Sequence, residues 1–214
     1  MSLQSFLEST WGQAVTVGVI LLLFLGILIT GKKKRADTKF MVASAILVAL
    51  GIVLNEITVF RMPQGGSITA FSMLPVVRCG YFFGVRRGVM AGMCVGLITL
   101  ILNPYVIHPV QLILDYPVAF GALGLAGLMW EKKWGLITGF LIGAAGRCTC
   151  SILSGIVFFG SYAPEGSNVF IYSVVYNGTY IGVEALMTVG ILAIPQVRHA
   201  LLRIKRSAGA PLPA

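Results

Sequence analysis

Asp115 lies inside the apolar run HPVQLILDYPVAFGALGLAGLM, in a chain of 214 residues that carries only seven acidic side chains. Keeping an ionised carboxylate among lipid tails costs roughly 2.5–3.5 kcal/mol on insertion scales, so such a residue faces a bundle interior and marks a pathway, a binding site or an internal ion pair. His108, Gln111 and Asp115 are spaced i, i+3, i+7, which sets them along one face of a helix that Pro109 would start. At about 1.5 Å rise per residue, the carboxylate then lies about 10 Å below the preceding loop. Pro117 removes a backbone donor near the same depth and would bend the helix or free a carbonyl there.

Two further segments place polar groups in apolar surroundings. Arg147, Ser151, Gly155 and Phe159 recur every four residues, a stripe running from cationic to hydroxyl to small to aromatic. An internal ion pair, or snorkelling toward the interface, is the simplest account of Arg147. In IYSVVYNGTYIGVEALMT, Tyr172, Tyr176 and Tyr180 step by four, and Asn177 and Glu184 share another line. Buried Asn177 requires hydrogen-bond partners. With Asp115 it offers acceptor oxygens and an amide donor between aromatic walls, a chemistry suited to a flat, nitrogen-rich, cationic small molecule. The chain has no Walker A motif, GxSxG elbow, HExxH or dinucleotide fingerprint. Neither ATP hydrolysis nor covalent catalysis is indicated, so the expectation is a protein that is not an enzyme, without cofactor or metal. Cys79, Cys94, Cys148 and Cys150 fall in or beside apolar segments, where a thiol behaves as a small hydrophobe.

The elements that must hold these residues are membrane helices. Hydrophobic residues make up 57% of the chain and charged residues 11%, which excludes a soluble domain. Seven apolar spans are expected near 11–30, 40–59, 67–84, 88–103, 110–130, 134–159 and 169–194, spaced for helices that cross a lipid core. The third and fourth are short and glycine-bearing, so one of them is expected to be tilted, broken or partly re-entrant. Loops 62–69, 103–109 and 160–168 are rich in turn formers and converge on one face. The net charge of +9 resides in clusters after the first, third, fifth and last spans, all on one side. That pattern places the N-terminus outside and the C-terminus in the cytoplasm, and leaves nucleic-acid binding without support. The span 11–30 is featureless and aliphatic, with its basic cluster following it, and reads as a retained anchor. The expected organisation is an appended helix with its basic linker over 1–39, a six-helix core over 40–195, and a basic cytoplasmic tail over 196–214.

The segments MPQGGSIT, HPVQLILDYPVAFGALGLAGL, SGIVFFGSYAPEG and YSVVYNGTY, in this order and spacing, resemble the thiamine-specific substrate-binding (S) components of energy-coupling factor transporters. The resemblance covers roughly 40–195. It implies an all-α integral membrane protein with a six-helix core, here with one extra N-terminal helix, that captures the vitamin near the outer face of the cell membrane. The partners it implies are a transmembrane coupling subunit and two cytoplasmic ATPases, which drive toppling of the subunit and inward release. By position, the family acid that bonds the aminopyrimidine falls on Asp115, with Tyr116 beside it. Tyr172, Asn177 and Tyr105 fall on pocket positions, and Gly155 on a glycine that leaves room for the ligand. Phe159 stands where Trp is common. Ser151 stands where many members carry a ligand-contacting His, and the first outer loop lacks the Trp that some members fold over the site. His108 is a candidate to supply an imidazole from the other side. The family docks onto its coupling subunit through small residues spaced AxxxA, which Ala45 and Ala49 match. The departures leave open a thiamine precursor or another vitamin, and a stand-alone carrier using a proton on Asp115 or Glu184 is the rival from another class.

Overall fold

The computed structural model describes residues 38–130, 132 and 134–209, with six isolated positions before residue 30. The anchor expected over 11–30 lies outside the described residues except at those positions, as do the last five residues of the tail. We number the helices α1 (Thr38–Glu56), α2 (Met73–Phe83), α3 (Val85–Leu102), α4 (Pro109–Met129), α5 (Gly135–Phe158), α6 (Val169–Ala193) and α7 (Pro195–Ser207), with a hairpin of β1 (Thr58–Arg61) and β2 (Ser67–Thr69) between α1 and α2. The first six correspond to the six expected core spans. Helices α1, α3, α4 and α5 are long and apolar enough to cross a membrane, and α6 with its bent continuation α7 makes a fifth candidate. Large aliphatics point outward, among them Met41, Ile46, Val53, Val175 and Leu186, as on a surface solvated by lipid. The chain is an all-helical, multi-pass membrane protein.

The expected span 67–84 is shorter as a helix, because its first residues pair as a strand. Thr58 faces Thr69 and Phe60 faces Ile68, and the turn closes with the Met62 N–H donating to the Gly66 carbonyl at 2.7 Å. Gly65 takes φ +87° there, a conformation that L side chains rarely adopt. The start of α2 is capped by a distant side chain: Glu184 of α6 accepts from the Met73 N–H at 3.1 Å.

Irregularity was expected in the third or fourth span, yet the interrupted helix is α4. It opens as an α-helix, passes through a π-helical turn at Leu114–Val118 and ends as a 3-10 helix over Leu123–Met129. The wider turn is a response to Pro117, whose ring would meet the carbonyl four residues back in an unbroken α-helix. Asp115 is carried on that turn.

Helix α4 packs against α2, α3 and α5. Close approach depends on glycine. A Cβ added at Gly92 would collide with the Phe120 carbonyl, one at Gly96 with the Tyr116 carbonyl, and one at Gly124 with the backbone at Val89. Gly92 and Gly96, spaced by four on α3, and Gly124 on α4 let two helix backbones meet without intervening side chains. Met73, Val77, Tyr81, Phe82, Leu123 and Phe140 fill the core on the other side of α4.

The segment expected as a tail forms α7, bent 86° from α6. Pro195, without an N–H, suits the first turn of the new helix, and Ile194 before it is extended. Leu201 joins the core, while the Lys205 ammonium reaches the Trp130 carbonyl and the Tyr81 ring.

Candidate ligand-binding site

A cavity of about 450 Å³ opens among α3, α4, α5, α6 and the hairpin, on the side of the expected outer loops. Asp115, Tyr116, Tyr105, Ser151, Gly155, Phe159, Tyr172 and Asn177, dispersed along the chain from Tyr105 to Asn177, all line it. His108 does not. Its Nδ1 accepts from the Val110 N–H at 3.2 Å, capping α4, and its ring stacks on Phe158 at 5.0 Å.

The α4 wall is tied to the loop above it. Gln111, 1% exposed, donates from Nε2 to Asp115 Oδ2 at 2.7 Å and to the Tyr105 carbonyl at 3.1 Å, and its Oε1 accepts from the Ile107 N–H at 3.2 Å. The Tyr116 hydroxyl donates to the Asn103 carbonyl at 3.0 Å and accepts from the Tyr105 N–H at 2.8 Å. Gln111 and Tyr116, five residues apart in α4, thus fix the 103–109 loop relative to the carboxylate.

On the facing wall, Asn177 donates from Nδ2 to the Ser173 carbonyl at 2.9 Å and accepts at Oδ1 from the Tyr180 hydroxyl at 3.0 Å. Ser173 in turn donates to the Ile152 carbonyl of α5 at 2.8 Å. Gly155 makes this contact possible, since a Cβ there would run into Ser173 Oγ and crowd Asn177 Nδ2. Its smallness serves the α5–α6 approach that positions the amide.

Aromatic rings enclose the outer part. Tyr105 stacks on Phe159 at 6.1 Å and 15°, and Tyr172, Tyr176 and Tyr180 follow one another at 6.0 Å along α6. The hairpin tip rests on these rings: the Gln64 N–H donates to the Tyr176 hydroxyl at 3.0 Å, Gly66 lies against Tyr180 and Gly65 against Tyr105.

Several lining residues were not singled out as site residues from sequence. Gln111 shares Asp115's helical face, and Tyr176 and Tyr180 follow Tyr172 at helical spacing, so their signals were present in the sequence. Gln64 and Phe120 gave none. Arg147, read as structural, borders the cavity with its guanidinium over the Phe120 ring at 4.3 Å. Glu184 is absent from the wall. Among the described residues, no cluster of three His, Cys, Asp or Glu side chains could hold a metal ion.

This arrangement has relatives. Thiamine transporter ThiT of Bacillus subtilis (strain 168) is 36% identical over 157 residues, which are 66% of this chain and 81% of the relative. Thiamine transporter ThiT of Lacticaseibacillus paracasei is 27% identical over 172 residues, 71% of this chain and 83% of the relative. The solved structure of ThiT from Listeria monocytogenes superimposes with a TM-score of 0.61 at 23% identity, covering 74% of this chain and 96% of that one, so the fold is shared. The family model described as thiamine transporter protein (Thia_YuaJ) matches residues 41–204. The chain therefore belongs to the thiamine transporter family, a family of transport proteins and not of enzymes.

Proposed function

We propose that this protein is the thiamine-binding S component of an energy-coupling factor importer, capturing the vitamin at the outer face. The carrying observation is the Asp115 carboxylate, held by Gln111 at 2.7 Å on the wall of an aromatic cavity beneath the outer loops. Thiamine joins a cationic thiazolium to an aminopyrimidine. The amino group suits a carboxylate acceptor, and the cation suits the faces of Tyr105, Phe159 and Tyr172.

Uptake then requires energy from other chains, because this one has no nucleotide-binding motif. We assign that role to a transmembrane coupling subunit with two cytoplasmic ATPases. Ala45 and Ala49 are exposed on α1, four residues apart, as a docking stripe for the coupling subunit requires. The basic clusters support an orientation with the C-terminus in the cytoplasm and the N-terminus outside. Glu184 is engaged by Thr69, Ser72 and Met73 away from the cavity, which takes one of two carboxylates from the proton-carrier alternative.

Titration of the purified protein with thiamine, followed by quenching of aromatic fluorescence, tests the reading. Saturable binding is expected. Asp115→Asn, which keeps the shape and removes the charge, should weaken it by about 10- to 100-fold, the worth of a hydrogen bond to a charged group. Unchanged affinity in that variant, or tight binding of a different vitamin with none of thiamine, sinks the assignment.

A further inference from the structure

The hydrogen bonds that fasten the α4 side of the cavity continue past its wall to α1. Asn103, where α3 ends, is a junction of three helices. Its N–H donates to the Thr99 carbonyl of α3 at 2.8 Å, and its carbonyl accepts from the Tyr116 hydroxyl of α4 at 3.0 Å. Its side-chain amide donates to both carboxylate oxygens of Glu56, the last residue of α1, at 2.8 Å each. Tyr116 and Gln111 carry the connections on to the Tyr105 backbone, and Gln111 to Asp115. One connected path thus runs from the end of α1 to the carboxylate of the cavity.

Glu56 is not part of the cavity wall, although Asn55 and Thr58 are. It is exposed, and it follows Ala49 by seven positions and Ala45 by eleven, so the three share one face of α1. An exposed bond of this kind contributes little to global stability. Its effect falls on what it orders locally, here a loop whose Val106 and Ile107 are exposed and whose shape depends on side-chain bonds. Tyr116 and Gln111 hold that loop from α4, and Glu56 holds it from α1. A plain brace between α1 and α3 is supplied separately, by Asn55 donating to the Thr99 hydroxyl at 3.3 Å.

We propose that Glu56 is a positioning residue: by holding Asn103 it latches the 103–109 loop and its Tyr105 at the cavity, and a partner engaging the Ala45 and Ala49 face of α1 opens that latch and speeds ligand dissociation. The inference rests on the thiamine reading and on α1 as the docking helix. Tyr105 is the ring that moves with the loop. It stacks on Phe159 at 6.1 Å, so freeing Asn103 loosens one aromatic side of the site. A carboxylate at the end of a membrane span suits this role, because a cationic or polar donor of an incoming chain competes with the neutral Asn103 amide for the same two oxygens.

The test follows amide hydrogen exchange over 103–109 and the rate of thiamine dissociation, in the full-length protein alone and assembled with the coupling subunit and ATPases. In Glu56→Ala alone, exchange at Tyr105 and Ile107 and thiamine dissociation should both quicken by about 3- to 10-fold, with the unfolding midpoint unchanged. Glu56→Gln keeps an acceptor and should restore part of the slow rate, and it decides the matter if the alanine variant does not fold. Adding Glu56→Ala to Asn103→Ala should change neither rate further, as expected of residues acting through one bond. Assembly should speed dissociation from the unsubstituted protein and add nothing in Glu56→Ala. Unchanged exchange and dissociation in Glu56→Ala overturn the positioning role, as does a lowered midpoint with both rates intact. No acceleration on assembly, or equal acceleration in both proteins, overturns the link to the docking face. Failure of the unsubstituted protein to bind thiamine overturns the ligand assignment, and exchange over 103–109 then still decides whether Glu56 holds the loop.

Discussion

Glu184 is 2% exposed, and its oxygens accept from the Thr69 hydroxyl at 2.7 Å, the Ser72 hydroxyl at 3.2 Å and the Met73 N–H at 3.1 Å. The carboxyl thus stands at the N-terminus of α2, where Ser72 makes no capping bond of its own and where a helix favours negative charge. Glu184→Ala would leave these donors facing a gap, and a loss of about 2–4 kcal/mol in stability is expected. Thermal unfolding in detergent measures it, and an unchanged midpoint would contradict the capping role. Asp115 behaves differently: Gln111 donates to it at 2.7 Å while it borders the cavity. Both acids were visible as anomalies in apolar sequence. Which one faces a ligand was not, because that depends on donors 111 to 115 positions away in the case of Glu184.

Helix α3 sets the geometry of α4 through glycine contacts, and the consequences reach the site. Gly92 abuts the Phe120 carbonyl, and Phe120 carries the Arg147 guanidinium; Gly96 abuts the carbonyl of Tyr116. Gly92→Ala would push α4 away from α3, costing about 1–3 kcal/mol as overpacking does, and should weaken ligand binding as well. Gly182→Ala, where a Cβ meets nothing within 4 Å, is the contrasting substitution and should be neutral or stabilising by up to about 1 kcal/mol from helix propensity. Equal unfolding temperatures for the two variants would refute the packing account. The spacing of these glycines was legible as close packing, but their partner helix was not. The break in α4 was half legible: Pro117 announced a disturbance, and the π turn that absorbs it places Asp115 on its first half.

At the scale of the whole molecule, α1 is the least enclosed of the crossing helices, with Leu47 and Gly51 its buried residues. Ala45 and Ala49 lie exposed on it, remote from the cavity wall. Ala45→Leu with Ala49→Leu should leave thiamine affinity and unfolding temperature of the isolated protein unchanged while lowering uptake at least tenfold in vesicles that also contain the coupling subunit and ATPases. Full uptake by the double variant would remove this stripe from the interface. The sequence by itself determined that the chain lives in a membrane, roughly where its apolar helices lie, and that a carboxylate sits among apolar residues. These follow from transfer free energies and helical periodicity, which are properties of neighbouring residues. Tertiary structure alone decided that 62–69 is a hairpin seated on tyrosine rings, that His108 caps a helix outside the cavity, that Glu184 caps another, and that Arg147 borders the site. Each of these depends on which distant donor, acceptor or ring comes within a few ångströms, and no local pattern encodes that pairing.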